Sequence, residues 1–457
     1  MGLKHLAVSG LVIAAVCATL VAGAAQAADA SLRAAEICEP MSVAWDVNDA
    51  GTVAGYVGSW PDVQAATCTS ENLISYLATP DDATGSIALA INRLGQVAGQ
   101  INLSSGASEA AIWDSSGAIT RLGFLTGESF SSGAQDINDN GLVVGVASAA
   151  GGSRAFLWDG SGPIEALPMP SGATSTVAQA INNHGVIAGS ASVMYGPGLA
   201  VVWQDGVPTA LPPLADGATA SAVDLNDAGQ VVGNSATTAP PWLVQDAVLW
   251  DDGSIVDLGS LGGPFGLATA INAEGQIAGY MTNAMDEYHA FLWEDGTMTL
   301  LDPLPEDTHS LAFGMNGRDE IVGISLQTLD GVGRAVRWTR LAISGHGVFG
   351  TEGNGRVSFT LSNEQVTFDR GTRFSFTGDV ESVTGAGKEA ALTGTGTWNG
   401  KSGYAFEVSV VDNASWGRLK DTIDVAVRDP EGAIVLTSFG PQLLKQGDIV
   451  VTPADSG

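Results

Sequence analysis

Apolar and polar positions along most of this chain alternate in short bursts, and the bursts recur. The segment Val177-Ala178-Gln179-Ala180-Ile181 runs into Asn182-Asn183-His184-Gly185, and Val186-Ile187-Ala188-Gly189 follows. Asparagine can close a turn onto its own backbone and glycine takes a positive φ without strain, so the stretch reads as strand, tight turn, strand. A looser loop with Met194-Tyr195-Gly196-Pro197-Gly198 leads to a third segment, Leu199-Ala200-Val201-Val202-Trp203. Gln204-Asp205-Gly206 then turns the chain into a fourth segment ending at Leu211. Runs this short, punctuated by glycine, are strands.

The unit returns seven times. Its asparagines stand at 48, 92, 138, 182, 226, 272 and 316, always 44 or 46 residues apart. A fixed period of this size marks a repeat architecture, and four strands per period is the size of one propeller blade. The third strand recurs as Ala111-Ile112-Trp113, Ala155-Phe156-Leu157-Trp158, Ala247-Val248-Leu249-Trp250, Ala290-Phe291-Leu292-Trp293 and Ala335-Val336-Arg337-Trp338. A tryptophan that ends an apolar run and precedes a tight turn predicts packing in the seam between neighbouring sheets rather than ligand stacking. After Trp338 the last unit lacks a fourth strand of its own. Counting back from Asn48 places the missing strand at Ala30 to Glu36, which predicts that the N-terminal end sews the first and last blades together and leaves no open sheet edge.

From Ser344-Gly345-His346-Gly347 the texture changes to open alternation, as in Arg356-Val357-Ser358-Phe359-Thr360-Leu361 and Thr422-Ile423-Asp424-Val425-Ala426-Val427. A period of two over many short segments predicts antiparallel strands in a β-sandwich or small barrel. The expected architecture is therefore all-β: a seven-bladed β-propeller over residues 28–343, followed by a smaller β-sandwich or barrel over 344–457.

His289-Ala290-Phe291-Leu292-Trp293, with Ala-Ile-Asn-x-x-Gly-x-Ile-x-Gly upstream, resembles the HAF-repeat family of extracellular repeat proteins over roughly residues 40 to 340. Arg154, Leu199 and Asp246 stand in the histidine's place in other units, so the resemblance assigns no role to His289. It implies an exported β-repeat protein and carries no activity. Thr393-Gly394-Thr395-Gly396-Thr397-Trp398-Asn399-Gly400, followed by Asp421-Thr422-Ile423-Asp424-Val425, resembles the post-COAP type of β-domain in exported bacterial proteins, again without a catalytic set.

The first residues read as a processing signal. Lys4 and His5 precede an apolar run from Leu6 to Gly23, and Ala25-Gln26-Ala27 offers a small-x-small cleavage pattern, so residues 1–27 are expected to be a signal peptide. A lipoprotein anchor at Cys17 is the weaker alternative, because branched Val16 precedes it. The expected location is secreted or periplasmic, with no other segment apolar enough to span a bilayer. Removing the signal leaves two of the three cysteines, Cys38 and Cys68, which in an oxidising compartment read as a disulfide clamping the first repeat. The formal charge of −31 argues against nucleic acid and anionic membranes as partners.

A search for chemistry finds little. His184, His289, His309 and His346 are scattered over turns, strand starts and loops, and there is no H-E-x-x-H, C-x-x-C or G-x-S-x-G. Gly385-Ala386-Gly387-Lys388 lacks the earlier glycine of a phosphate loop and reads as a hairpin. Asp136-x-Asn138-x-Asn140-Gly141 opens like a calcium loop, but Ala147 stands where the bidentate glutamate belongs, and the other units abandon the pattern. No catalytic residue, cofactor or metal is assigned.

What remains is a recognition surface. In a four-stranded blade the two-to-three loops share a face with the blade-to-blade connections, and here they are the longer and more individual set. Trp60, Tyr195, Trp242 and Tyr288 are the candidate ligand-contact residues on those loops. The expected function is a monomeric, non-enzymatic scaffold that binds a protein or carbohydrate partner. The alternative is a polysaccharide hydrolase or lyase with carboxylates at the propeller channel.

Overall fold

The computed structural model describes residues 32–59, 62–125, 130–149, 151–237, 244–329, 331–351, 355–361, 365–369, 375–386, 389–411, 422–437, 442–443 and 446–453. All of its regular structure is strand. Two compact units divide it: residues 34–338 form the first, and residues 32–33 with those from 339 onward form the second. No helix among the described residues is long and apolar enough to cross a membrane.

The first unit is a ring of seven blades. The innermost strands are Met41–Val47, Ala83–Ile91, Ser132–Ile137, Ala173–Ile181, Ala220–Leu225, Gly262–Ile271 and His309–Met315. Each lies against the next, and the last lies against the first. Within a blade the strands pair antiparallel in chain order, as in Ala173–Ile181, Ile187–Val193, Leu199–Gln204 and Val207–Ala210 of the fourth. The seventh blade takes its outer strand from the other end of the chain. Leu32–Glu36 pairs with the strand Arg334–Thr351, Ile37 N–H donates to the Ala335 carbonyl at 3.1 Å, and the Arg334 guanidinium donates to Glu36 at 3.4 Å.

Two recurrent residues have their reason in backbone approach. Every inner strand carries a β-bulge two to four residues before its asparagine, as between Ala44 and Asp46 and between Ala178 and Ala180. The bulge swings the carbonyl of an earlier inner-strand residue over the second strand, where a Cβ on Gly55, Gly99, Gly145, Gly189, Gly233, Gly279 or Gly323 would collide with it. The glycine of the Ile-x-Gly signature therefore makes room for a bulge. The alanine of the third strand lies fully buried in the seam, and its N–H finds a hydroxyl on the following blade. Ala65 donates to Ser86, Ala110 to Ser132, Ala155 to Thr176 and Ala290 to Ser310, at 2.9 to 3.0 Å.

Tryptophans fill these seams. Trp113, Trp203, Trp250 and Trp338 are buried, and each donates its indole N–H at 2.7 Å to a carbonyl just beyond the preceding blade's fourth strand: Ala78, Pro168, Pro212 and Asp302. Trp158 instead donates to Gly162 in its own turn. A buried aromatic satisfies its one polar atom while its ring supplies the packing.

The second unit is one antiparallel meander, from the later part of Arg334–Thr351 through Gly355–Leu361, Gln365–Asp369, Ser375–Ala386, Glu389–Trp398 and Lys401–Val411 to Thr422–Arg428 and Ile434–Thr437. Gln446–Pro453 returns to pair with the first of these strands. Val357, Phe368, Phe376, Leu392, Val408 and Val425 share a single core, so the sheet curls around its own apolar face. Ala386 pairs with Glu389, which makes the strands flanking 387–388 a hairpin.

Candidate functional site

The seven repeated asparagines are buried, and their side chains bind both within and between blades. The Asn182 Oδ1 accepts from His184 and Val186 N–H at 3.0 Å, closing the turn. Its Nδ2 donates to the carbonyl of Asn226 at 3.1 Å in the next blade. The same donation runs from Asn48 to Asn92, Asn92 to Asn138, Asn138 to Asn182, Asn226 to Asn272, and Asn316 back to Asn48, at 2.9 to 3.0 Å. One residue further on, a second set crosses the same seams. Arg93 N–H donates to Asp139, Asp139 to Asn183, Asn183 to Asp227 and Gly317 to Asp49.

Just before the asparagines the chain lines the central channel. The residue three before each asparagine, and in three blades the residue two before it, keep partial exposure although they belong to innermost strands, so the surface they expose faces the lumen. Three are carboxylates in alternate blades: Asp46, Asp136 and Asp224. Blades two, four and six carry Ala90, Ala180 and Ala270 there, and the seventh carries Gly314. Each aspartate accepts the N–H of its own successor through Oδ1 and the N–H of the next blade's inner strand through Oδ2. Asp46 holds Val47 and Ile91, Asp136 holds Ile137 and Ile181, and Asp224 holds Leu225 and Ile271, at 2.7 to 2.8 Å. Blades are thereby stapled in pairs.

Desolvation inside the ring raises all three carboxyls, Asp46 to about 6, Asp136 to about 7 and Asp224 to about 8. The backbone donors oppose the rise. Mutual repulsion adds to it, since Asp136 feels Asp46, and Asp224 feels both. Around them the lumen is uneven. Trp45 and Phe313, at equivalent bulge positions in blades one and seven, pack with ring centroids 4.5 Å apart, and Tyr280 of blade six meets Phe313 edge-on at 6.1 Å. The same bulge position in blades three and four is Gln135 and Gln179, neither of which has a hydrogen-bond partner among the described residues.

The sequence-predicted positions fall out as follows. Cys38 and Cys68 form a disulfide. Tyr195 stands free on its loop, fully exposed beside the exposed Met194. Tyr288 is half-buried at a strand start, packed against Phe265, Tyr280 and His309, and burial raises its hydroxyl above the usual tyrosine range. Trp60 and Trp242 lie outside the described residues, as do residues 1–31 with the expected signal peptide. Tyr195 belongs to blade four and Tyr288 to blade six, and no contact joins them. The oxygens of Asp136 and Asn138, the calcium-like pair, face backbone N–H groups. His309 accepts the Tyr288 N–H on Nδ1, and burial lowers its pKa. His289 lies 3.9 Å from Glu287, and among the described residues no group of three or more His, Cys, Asp or Glu gathers to hold a metal.

Sequence reasoning placed carboxylates at the channel in its alternative reading but did not single out which ones. The signal was present, because the residue two before the asparagine alternates Asp and Ala through the first six blades, with Gly314 in the seventh. Reading it requires knowing that the bulge turns that position toward the axis.

No family model and no curated protein matches the chain. Similar solved structures are a streptogramin B lyase, 12% identical, covering 68% of this chain and 97% of its own, with a TM-score of 0.43. Virginiamycin B lyase from Staphylococcus aureus is 9% identical, with 67% and 98% covered and a TM-score of 0.45. TolB from Acinetobacter baumannii is 13% identical, with 63% and 79% covered and a TM-score of 0.35. These likenesses are of fold, and what this chain does is argued from its own residues.

Proposed function

We propose that this protein is an exported, non-enzymatic propeller scaffold that binds a glycan or a protein through the face bearing its longer loops. One observation supports this over catalysis. The three channel carboxylates, the only acidic groups found at the bulge, have both oxygens engaged by backbone N–H donors of two adjacent blades. An acid or base working on a substrate needs a free oxygen within reach of it. On the loop face, by contrast, Tyr195 and Met194 are 102% and 65% exposed on a turn held by the Gly196–Val193 backbone bond, apolar surface with no role in the seams. Rigid blades carrying individual loop tips suit recognition. The Cys38–Cys68 bridge is compatible with export, and the signal peptide, the HAF-repeat relationship and a monomeric state belong to the same proposal.

The second reading is a polysaccharide hydrolase or lyase, favoured by the raised pKa values of Asp136 and Asp224, since carboxyls that keep a proton near neutrality can act as general acids. The purified mature protein, screened against a glycan panel and against secreted proteins, and in parallel incubated with neutral and acidic polysaccharides, separates the two. Saturable binding without product, weakened by Tyr195→Ala, is the expected result. Turnover that is abolished by Asp136→Asn would overturn the scaffold reading.

A further inference from the structure

Three blades carry a pair of charged residues at the same place on the loop side of the ring, and one pair differs from the other two. Glu109, Asp246 and Arg334 each stand four residues before a seam tryptophan, and each has a charged diagonal neighbour on the fourth strand: Arg121, Asp257 and Glu36. In blade two the Arg121 guanidinium donates to Glu109 through Nε at 2.9 Å, and to Asp82 on the connection entering the blade at 2.9 Å. In blade seven the signs are exchanged. Arg334 donates to Glu36 at 3.4 Å and lies 2.8 Å from Asp307, again on the entering connection. Each guanidinium thus bridges two carboxylates, one of them buried. Blade five has the carboxylates without the guanidinium. Asp246 is only 7% exposed and has no hydrogen-bond or ion partner among the described residues, while the Asp257 Oδ1 accepts the Gly259 N–H at 2.8 Å. Asp216 stands on the entering connection. No lysine or arginine occurs from 155 to 317, so blades four, five and six have no permanent cation to offer.

We propose that Asp246 and Asp257 form a binding site for an arginine side chain presented by a protein partner, resting on the protein branch of the function proposed above. Burial, with Asp257 beside it, raises the Asp246 carboxyl to about 6. A carboxylate drawn out of water without a counter-charge is the costly case, and a cation relieves it. The two counterpart blades show which cation fits, a planar fork of donors that serves two carboxylates at once. A divalent metal fits less well. Calcium takes about six to eight oxygen ligands, and among the described residues no third His, Cys, Asp or Glu gathers beside this pair. The site opens on the loop face. Val244, two residues before Asp246, is exposed, and Met194 and Tyr195 stand exposed on the same face of the adjacent blade four. An arginine flanked by apolar residues therefore meets an acidic pair flanked by apolar tips, and the negative charge of the chain steers a basic segment toward it.

The test titrates three acetylated tripeptide amides into the mature protein by calorimetry: Leu-Arg-Leu, its lysine counterpart, and its citrulline counterpart, which keeps the shape of arginine without the charge. Saturable binding of the arginine peptide is expected, at least tenfold tighter than the lysine one, with no binding of the citrulline one. Asp246→Asn should weaken it at least tenfold. Asp257→Arg rebuilds the pair of blade two inside blade five, so it should abolish peptide binding while raising the melting temperature, which separates a filled site from a failure to fold. Glu274→Arg makes the same charge change at an exposed turn on the opposite face and should leave binding as it is. A peptide bound equally by the parent and by Asp257→Arg, or lost equally in Glu274→Arg, overturns the site. Calcium binding that disappears in Asp257→Arg, with no arginine peptide bound, overturns the guanidinium in favour of a metal. No peptide bound, with a secreted protein or a glycan still captured through Tyr195, overturns this inference alone, and nothing bound at all overturns the scaffold reading as well.

Discussion

Cys68 stands in blade one where the other blades have tryptophan, and its partner Cys38 stands where those tryptophans find their carbonyl. Val53 pairs with Cys68 across the sheet as Ile187 pairs with Trp203. Cys38 lies two residues beyond the strand Leu32–Glu36, as Pro168 lies two beyond Glu165–Ala166. The disulfide is the covalent form of the seam that the other blades make with an indole hydrogen bond, and it is placed at the one seam where the chain's two ends must be held together. The bridge thus joins the closing strand to blade one, where spacing alone suggested a clamp within the first repeat.

Breaking that seam should loosen the ring from its closure outward. The bridge spans 30 residues, and a loop of that size contributes about 3 kcal/mol through the unfolded state. Cys38→Ser with Cys68→Ser is expected to lower stability toward urea by that order and to make the N-terminal strand the first site of proteolysis. Cleavage starting elsewhere in the ring, with the midpoint unmoved, would show that Leu32–Glu36 holds without the bond.

Gly314 faces the same closure. A Cβ there would sit 2.7 Å from the Asp46 Cα and 2.8 Å from the Trp45 carbonyl oxygen, both backbone of blade one. Gly314→Ala should cost about 1–3 kcal/mol, the range for overpacking against atoms that cannot move aside. Ala180→Gly, at the same position where a methyl is already accommodated, should cost under about 1 kcal/mol. Equal losses in chemical denaturation would contradict a tight seventh seam.

Asn182→Ala removes a turn closure and an inter-blade bond together and leaves the Val186 N–H and the Asn226 carbonyl to find other partners. Each net bond is worth about 0.5–1.5 kcal/mol, with more where a buried group is stranded, so a loss on the order of 2–4 kcal/mol is expected. Asn182→Asp keeps the acceptor and loses the donor. It should keep the turn but still destabilise, which equilibrium unfolding of the two variants measures directly.

Stability should fall as pH rises from about 4 to about 8. Asp46, Asp136 and Asp224 hold protons more tightly folded than unfolded, with values of about 6, 7 and 8 against 3.8. The folded state therefore binds more protons across that window, and its advantage shrinks until all three have ionised. Replacing all three by alanine, the residue that blades two, four and six already use, should flatten the slope between pH 5 and pH 8. A melting temperature that rises over this interval in the parent and is unchanged in the variant would refute the assignment.

The repeated asparagine at a near-constant spacing was enough to count the blades, to place the tight turns and to locate the closing strand at the N-terminus. These are consequences of local chemistry and period, and both are written along the chain. The tryptophans could be assigned to seams for the same reason, because an apolar run ending before a turn has only the core to face. The Nδ2 half of each asparagine, the stapling by Asp46, Asp136 and Asp224, and the equivalence of the Cys38–Cys68 bond to an indole hydrogen bond became visible only in the ring. They join residues about 45 positions apart or at opposite ends of the propeller, and their geometry depends on a bulge that turns one position in each inner strand toward the axis. The loop residues chosen from sequence divided likewise: Tyr195 stands in solvent, while Tyr288 packs into the aromatic side of blade six, since what lies opposite a side chain is decided by its neighbours in space.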